Sequence, residues 1–309
     1  MGLTHFPHGV SSFGVPVMGG GNLIPQTTGD YFFVDDSGSN SNEGTDPDHP
    51  VATLDTAIGL CTADHGDVII LMPGHAESAT AIAADVAGVT VVGLGSGEAM
   101  PTITGTTAAA DLIDVTADSF VMKNVSLVGG ASGTTALVDI SADGDYAVFE
   151  GCRFTSGAAA PVDMITLATG ADHLSFINCD FIGSGSELDN CILCEGYVAY
   201  MNIRGCYFDT TASAGVDEAI IQFAVCGSGP VWIDNCMFMT NTDNDSVFLA
   251  VSENDPAMLV SNCLSTGVDF TDVANQITYE SMAWANNRWG QPGFYAPEGS
   301  GQIPSASTS

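Results

Sequence analysis

The chain predicts an all-β solenoid: a single-stranded parallel β-helix with about 27 residues per rung and a short N-terminal capping helix. Three observations predict it. A first column, Val125, Cys152, Cys179, Cys206, Cys236 and Cys263, recurs at steps of 27, 27, 27, 30 and 27 residues. A second set, LIDVTAD, LVDISAD, MITLATG, ILCEG, IIQFAV and VFLAVS, begins at residues 112, 137, 164, 192, 220 and 247, in nearly the same register. Between these apolar runs the chain is rich in Gly, Ser, Asp and Thr, which separate short strands. The β-branched and Gly-rich composition excludes helical repeats. The leucine-rich-repeat pattern L-x-x-L-x-L-x-x-N is absent.

Residues 1–29 read as an extended arm without strand or helix periodicity. Phe6, Pro7, Val10, Phe13 and Val15 make it apolar, and the Gly run at 19–21 is a hinge, so it is expected to dock onto a partner. Residues 30–74 form the cap. DYFFVDD carries a strand at Tyr31–Val34, and a polar loop follows. ATLDTAIGLC has apolar residues at helical spacing with Thr53 as N-cap, and GDVIILMPG is the first buried strand. A short amphipathic helix there covers the open end of the stack. The loop 35–48 is oxygen-rich but lacks the D-x-[DN]-x-[DN]-G spacing of a calcium loop.

The repeats occupy about 75–270. Three residues before the Cys column stand Met122, Phe149, Phe176, Ile203, Ile233 and Val260. Two after it stand Leu127, Phe154, Phe181, Phe208, Phe238 and Ser265. A straight strand alternates with period two. One extra residue between −3 and 0 therefore forces a bend. The residue at −1 is Asn124, Gly151, Asn178, Gly205, Asn235 or Asn262, the two types that accept φ > 0 at low cost. Each rung should turn a corner there, with a small inward Cys behind it as core filler and stacked Asn side chains bonded along the axis. Cys191 and Cys194 form a lone C-x-x-C, read as alternate residues of one strand. Residues 271–290, with Trp284 and Trp289, close the stack, and 291–309 is an extended Pro/Gly/Ser-rich tail.

Outward positions flank the corner. Lys123 should meet Glu150, and Arg153 should meet Asp180, one rung apart. Ile177, Tyr207, Trp232, Met237 and Leu264 form an apolar stripe read as lying on one outer sheet, which needs cover. Self-association, as a homotrimer, is the expected use.

Four basic residues face 37 acidic ones, a formal net charge of −33. Nucleic acid and anionic membrane surfaces are disfavoured as partners, since both require clustered Lys and Arg. Such acidity suits a saline habitat, where screening removes self-repulsion. No run of 18 apolar residues exists to span a bilayer. The opening residues lack the basic region of a secretory signal, so the nine cysteines are expected as reduced thiols of a protein made in a cytoplasm.

The segment GTDPDHPVATLDTAI…GDVIILMPGHAES resembles the opening of pectate-lyase-like right-handed β-helix proteins, where a GT…P..TL..A segment precedes GD.I.L.PG. The resemblance spans roughly residues 30–270 and implies the right hand of the coil. That architecture hosts lyases, hydrolases and inert spikes, so it does not imply an activity. The segment THFPHGVSSFGVPVMGGGN resembles the HFPNG(V/L)-type leader of tailed-phage virion proteins. This second resemblance implies a structural virion protein on a capsid surface, anchored through the arm to the major capsid protein and made in the host cytoplasm. A tail-borne spike that binds or cleaves a host surface glycan is the alternative.

Chemistry in this fold would call for an Arg beside an Asp cluster, or two carboxylates across a groove. Arg153 with Asp180 and Arg204 with Asp234 are the candidates, and each has the one-to-one pattern of a salt bridge. Glu195, Asp217 and Glu218 sit in predicted loops without a partner. No catalytic residue, metal site or cofactor is expected, and the protein is read as a non-enzyme.

Overall fold

The computed structural model describes residues 11–12, 15–16, 24–108, 110–131, 134–157, 161–184, 188–212, 216–224, 229–239, 246–250, 258–266, 282–285 and 288–290. It is a parallel β-helix built from three sheets of ten, nine and seven strands. The Cys-centred repeat supplies two strands per rung and the second repeat a third. In one rung these are Val148–Glu150, Arg153–Thr155 and Asp163–Leu167. Each strand pairs in parallel with its counterpart one repeat away: Phe149 lies between Met122 and Phe176, and Phe154 between Leu127 and Phe181.

The single 30-residue step is absorbed one residue at a time. The register slips once between Ile182 and Ser184 and again between Leu188 and Asn190. The third extra residue falls in the turn between Phe223, opposite Cys194, and Val231, opposite Met201. The two register shifts lie near strand ends, so the inward columns on either side stay aligned.

The corners have left-handed backbone at every repeat. Asn124, Asn178, Asn235 and Asn262 have φ of 52–55°, and Gly151 and Gly205 have φ of 62° and 64°. The expected Asn–Asn ladder is not the pattern seen at Asn124. Asn124 Nδ2 donates to the carbonyls of Gly93 and Gly95 (2.7 and 2.9 Å), and Asn262 Nδ2 donates to Asp234 Oδ1 (2.8 Å). Glycine interrupts the Asn column at Gly151 and Gly205, so Asn124 and Asn178 have no amide neighbour to bond, whereas Asn235 and Asn262 are adjacent.

Behind each corner the cysteines are buried, free thiols. Each donates to a carbonyl of the preceding rung, Cys179 to Phe149 O at 3.3 Å and Cys206 to Phe176 O at 3.3 Å. The bond to the neighbouring Cys179 thiol, then burial, push the Cys206 thiol up to about 12. Such thiols stay protonated and unreactive at neutral pH. Beside them Phe154, Phe181, Phe208 and Phe238 form a continuous stack with centroid separations of 4.8, 4.5 and 4.9 Å. Offset ring pairs of this kind add about 0.5–1.5 kcal/mol each beyond the area they bury.

Helix α1, Leu54–Leu60, lies over the first rungs with Leu54, Ala57 and Ile58 buried, and the Thr53 side chain accepts from Thr56 N–H. Glu77 caps it from the rod, accepting the Leu54 N–H at 2.9 Å. A second apolar cluster, Tyr31, Phe33, Val68, Ile70 and Val92, lies on the outer face of the first sheet at this end, covered by Ile24, Met72 and Leu94. At the other end the strands Met282–Ala285 and Arg288–Gly290 add a further rung, with Trp284 in register with Val260 and Trp289 with Ser265. In the arm, Ser11–Ser12 pairs antiparallel with Val15–Pro16, a short ribbon that the sequence pattern did not predict. Phe6, Pro7, Val10 and Phe13 lie outside the described residues, as does the tail 291–309. Among the described residues no helix is long and apolar enough to cross a membrane.

Candidate functional site

The exposed face carries three groupings: the charged and apolar columns beside the Asn/Gly corner, a column of aromatic rings at a second corner, and a set of carboxylates on the third sheet.

At the first corner Lys123 Nζ lies 2.7 Å from Glu150 Oε2, and Arg153 lies 3.5 Å from Asp180. Both pairs are substantially exposed and worth about a kcal/mol or less. Asp234 is held low by its bonds from Ser261 Oγ and Asn262 Nδ2, with a smaller pull from Arg204. The apolar stripe is divided. Ile177 and Trp232 belong to the first sheet, whereas Tyr207, Met237 and Leu264 belong to the second. This corrects the expectation of one continuous face. The left-handed residue between the strands swings the chain, so positions −4 and −2 point away from a different wall than position +1. On the second sheet Tyr207 and Met237 are half-buried, and the Tyr207 hydroxyl donates to Asp209 Oδ2 at 2.9 Å. Leu264 is exposed. Asp217 and Glu218, expected in a loop, lie within the strand Val216–Phe223.

The second corner, between the third and first sheets, was not anticipated. Ser119, Tyr146, His173 and Tyr200 all have left-handed backbone, with φ of 61, 60, 60 and 55°. They fall 27 residues apart in ADSF, GDYA, ADHL and VAYM. The preceding aspartates hold the column. Asp118 Oδ1 accepts the Asp145 N–H, Asp145 Oδ1 the Asp172 N–H, and Asp172 Oδ1 the Ala199 N–H, at 3.2, 2.7 and 2.7 Å. The rings stack outside the rod. Tyr146 and His173 are 4.6 Å apart and His173 and Tyr200 4.5 Å apart, while Trp232 lies 6.5 Å beyond, tilted by 34°. Tyr146, Tyr197, Tyr200 and Trp232 are exposed, at 52, 47, 47 and 40%. The signal was present as a D-[SYH] dipeptide repeated at the rung period. It escapes a residue-type rule for φ > 0, under which bulky residues are poor candidates.

On the third sheet the carboxylates of Asp111, Asp114 and Asp139 lie within 4.8 Å of one another. Burial, then the charge of Asp139, raise both Asp111 and Asp114. Asp111 Oδ1 accepts the Ala136 N–H at 2.8 Å, and Thr166 Oγ1 donates to Asp139. An all-oxygen donor set of this type suits a hard cation. One rung on, Asp163 is buried, accepts from Asn190 Nδ2 at 2.8 Å, and is pushed up to about 7 by burial. A third group, Asp30, His65 and Asp67, ties the cap together: Asp67 accepts N–H bonds from Asp30 and Thr62 at 2.7 Å and meets His65 Nδ1 at 2.7 Å. Beneath α1, the buried His75 Nε2 faces Glu77 Oε2 at 3.2 Å. Column spacing does not single out these groups.

No family model matches the chain, and no curated protein matches it. Solved structures do. Pectate lyase Pel9A superposes with a TM-score of 0.62 at 12% identity, over 86% of this chain and 78% of its own. A rhamnogalacturonan lyase gives 0.57 at 15% identity, over 84% and 74%. The pectin methylesterase from Aspergillus niger gives 0.56 at 18%, over 85% and 86%. The chain therefore has the pectate-lyase fold, a parallel β-helix architecture that in these structures belongs to polysaccharide-acting enzymes. At these identities the likeness is one of fold.

Proposed function

We propose that the chain is a structural protein of a tailed-bacteriophage virion: a β-helical rod on the capsid surface, attached to the major capsid protein through residues 1–29. Phe6, Pro7, Val10, Phe13 and Val15 supply the apolar anchor, and Tyr207, Met237 and Leu264 on the second sheet supply self-association, as a homotrimer. The observation that carries this reading is how the rod uses its scarce positive charge. Lys123 and Arg153 are each tied to a carboxylate one rung away, and Arg204 neighbours Asp234. Lys123 and Arg153 brace neighbouring rungs, and the described basic side chains are not gathered around an anionic substrate. A stack of short, hydrogen-bonded rungs makes a stiff rod, and a strongly acidic coat keeps particles dispersed. Immunogold labelling of virions from the phage that encodes the chain tests this. Gold spread over the icosahedral shell is expected. Gold confined to the tail tip, or absent, contradicts it.

A second reading is a tail-borne spike that binds or cleaves host polysaccharide. The exposed ring column at the second corner favours it, since nothing in a purely structural rod requires aromatic residues there.

A further inference from the structure

We propose that the second corner is a binding site for an uncharged polysaccharide, laid along the rod over Tyr146, Tyr200 and Trp232. The inference gives a ligand class to the glycan-binding reading and holds wherever on the particle the rod is displayed.

Backbone conformation differs in cost between the two corners. Left-handed φ is cheap for Asn and Gly, and the first corner uses only those two residues. At the second corner the same conformation is occupied by Tyr146, His173 and Tyr200. A bulky residue at φ > 0 is strained, and such strain concentrates at ligand sites and other places where a side chain must be aimed. Here it aims three rings outward in a line, one per rung. A ladder serving stability alone would be expected inside the rod, where Phe154, Phe181, Phe208 and Phe238 form one.

Ring geometry then locates the contact surfaces. His173 is sandwiched between Tyr146 and Tyr200, so its faces are covered. Two surfaces stay open. The outer face of Tyr146 looks toward Ser119, too short to cover it. At the other end Tyr200 and Trp232, 6.5 Å apart and inclined at 34°, are not stacked in parallel, and both stay exposed, as does Tyr197 three residues before Tyr200. The two open surfaces are about two rungs, roughly 10 Å, apart along the axis, a span that calls for an extended polymer. Between them on the first sheet lie the polar side chains of Ser175 and Asn202, in the same register column as Trp232.

The chemistry selects a glycan. The C–H faces of a pyranose carry partial positive charge and pack on the negative face of an aromatic ring. Its hydroxyls are donors and acceptors, and carboxylates and Tyr hydroxyls line the column. Asp118, Asp145 and Asp172 each use Oδ1 for the backbone, which leaves the second oxygen to accept a ligand hydroxyl. Those carboxylates also exclude anionic polymers. The three described basic side chains, Lys123, Arg153 and Arg204, stand beside carboxylates at or beyond the first corner and offer no compensation. The occupant is accordingly an uncharged sugar polymer, not a uronate or sulfated chain and not a nucleic acid.

The test uses the full-length protein on an array of neutral and acidic glycans. Laminarin, dextran, yeast mannan, alginate and heparin are then measured in solution by affinity electrophoresis, with polylysine as a cationic control. Binding to at least one neutral polysaccharide, with none to alginate or heparin, is expected. Tyr200→Ala and Trp232→Ala should each weaken it about tenfold. Tyr146→Phe should retain the stacking contribution, and Leu60→Ala on the exposed face of the capping helix should change nothing. Circular dichroism checks that the variants keep the β-helix. The inference is overturned if no neutral glycan binds, if alginate or heparin binds as well as the neutral polymer, if polylysine is preferred, or if binding survives both Tyr200→Ala and Trp232→Ala. Immunogold placement on head or tail decides the virion reading separately and leaves this result untouched.

Discussion

Gly151 and Gly205 occupy equivalent corners, yet the structure predicts different responses to the same substitution. Both have left-handed backbone, at φ of 62° and 64°. A Cβ added at Gly151 meets nothing within 4 Å, whereas one at Gly205 comes within 2.4 Å of Asn178 Oδ1. Placing an L-residue in this region costs about 1–2 kcal/mol. Reduced unfolded-state entropy returns about 0.4–1 kcal/mol of that. Gly151→Ala should therefore cost about 1 kcal/mol, and Gly151→Asn close to nothing, because Asn tolerates the region. Gly205→Ala carries the same backbone penalty and must also turn the Asn178 amide off its preferred rotamer, adding about 1 kcal/mol. Replacing Asn178 by Gly removes the obstructing atom, so Gly205→Ala in an Asn178→Gly background should fall back to the Gly151→Ala value. The double-mutant coupling is then about 1 kcal/mol. Urea unfolding followed by far-ultraviolet circular dichroism measures all four differences. Equal costs at the two glycines, within about 0.3 kcal/mol, would refute the close approach. A Gly151→Ala variant as stable as Gly151→Asn would refute the corner itself.

Other consequences can be checked with the same purified protein. Phe181→Ala removes the middle of the phenyl stack at a fully buried site, and should cost about 3–5 kcal/mol in urea unfolding; a loss below about 1 kcal/mol would mean the column is not packed as described. The Asp163 carboxyl, raised to about 7 in the folded rod, binds a proton there that the unfolded chain has already released above about pH 4. Stability should thus fall as pH rises from about 4 to about 7. Asp163→Asn should flatten that slope and be more stable than the parent at pH 8, as read from thermal melts across the range. With a net charge of −33, raising NaCl from about 0.01 to 1 M should increase the melting temperature by shortening the Debye length from about 30 to 3 Å; a melting temperature independent of salt would contradict this. A Tyr207→Asp, Met237→Asp double variant should sediment as a monomer if the second-sheet face joins copies, and an unchanged mass in analytical ultracentrifugation would reject that interface.

The rod was legible because its inward columns repeat. Val125 and the five cysteines mark a period that only a solenoid explains, and Asn124 or Gly151 before them marks the bend. The capping helix was legible from Thr53 and the spacing of Leu54, Ala57 and Ile58. Contacts between elements were less so. Trp232 was grouped with Tyr207 because counting from a column cannot reveal which wall a residue leaves once the chain has turned. Asp111, Asp114 and Asp139 were missed because two sit in one rung and the third, 25 residues later, meets them only when the rungs stack. Tyr146, His173 and Tyr200 were missed because a residue-type rule for φ > 0 selects Asn and Gly, and a strained aromatic is the case the rule omits.

The central claim, attachment of a β-helical rod to a capsid through its N-terminal arm, is tested most directly by reconstitution. Virions lacking the protein are incubated with the purified full-length chain or with its Phe6→Asp, Phe13→Asp variant, then sedimented. The account predicts that the parent co-sediments with the particles to saturation and that the variant stays in the supernatant while keeping its circular dichroism spectrum. A variant that sediments as fully as the parent, or a parent that does not sediment, would contradict it.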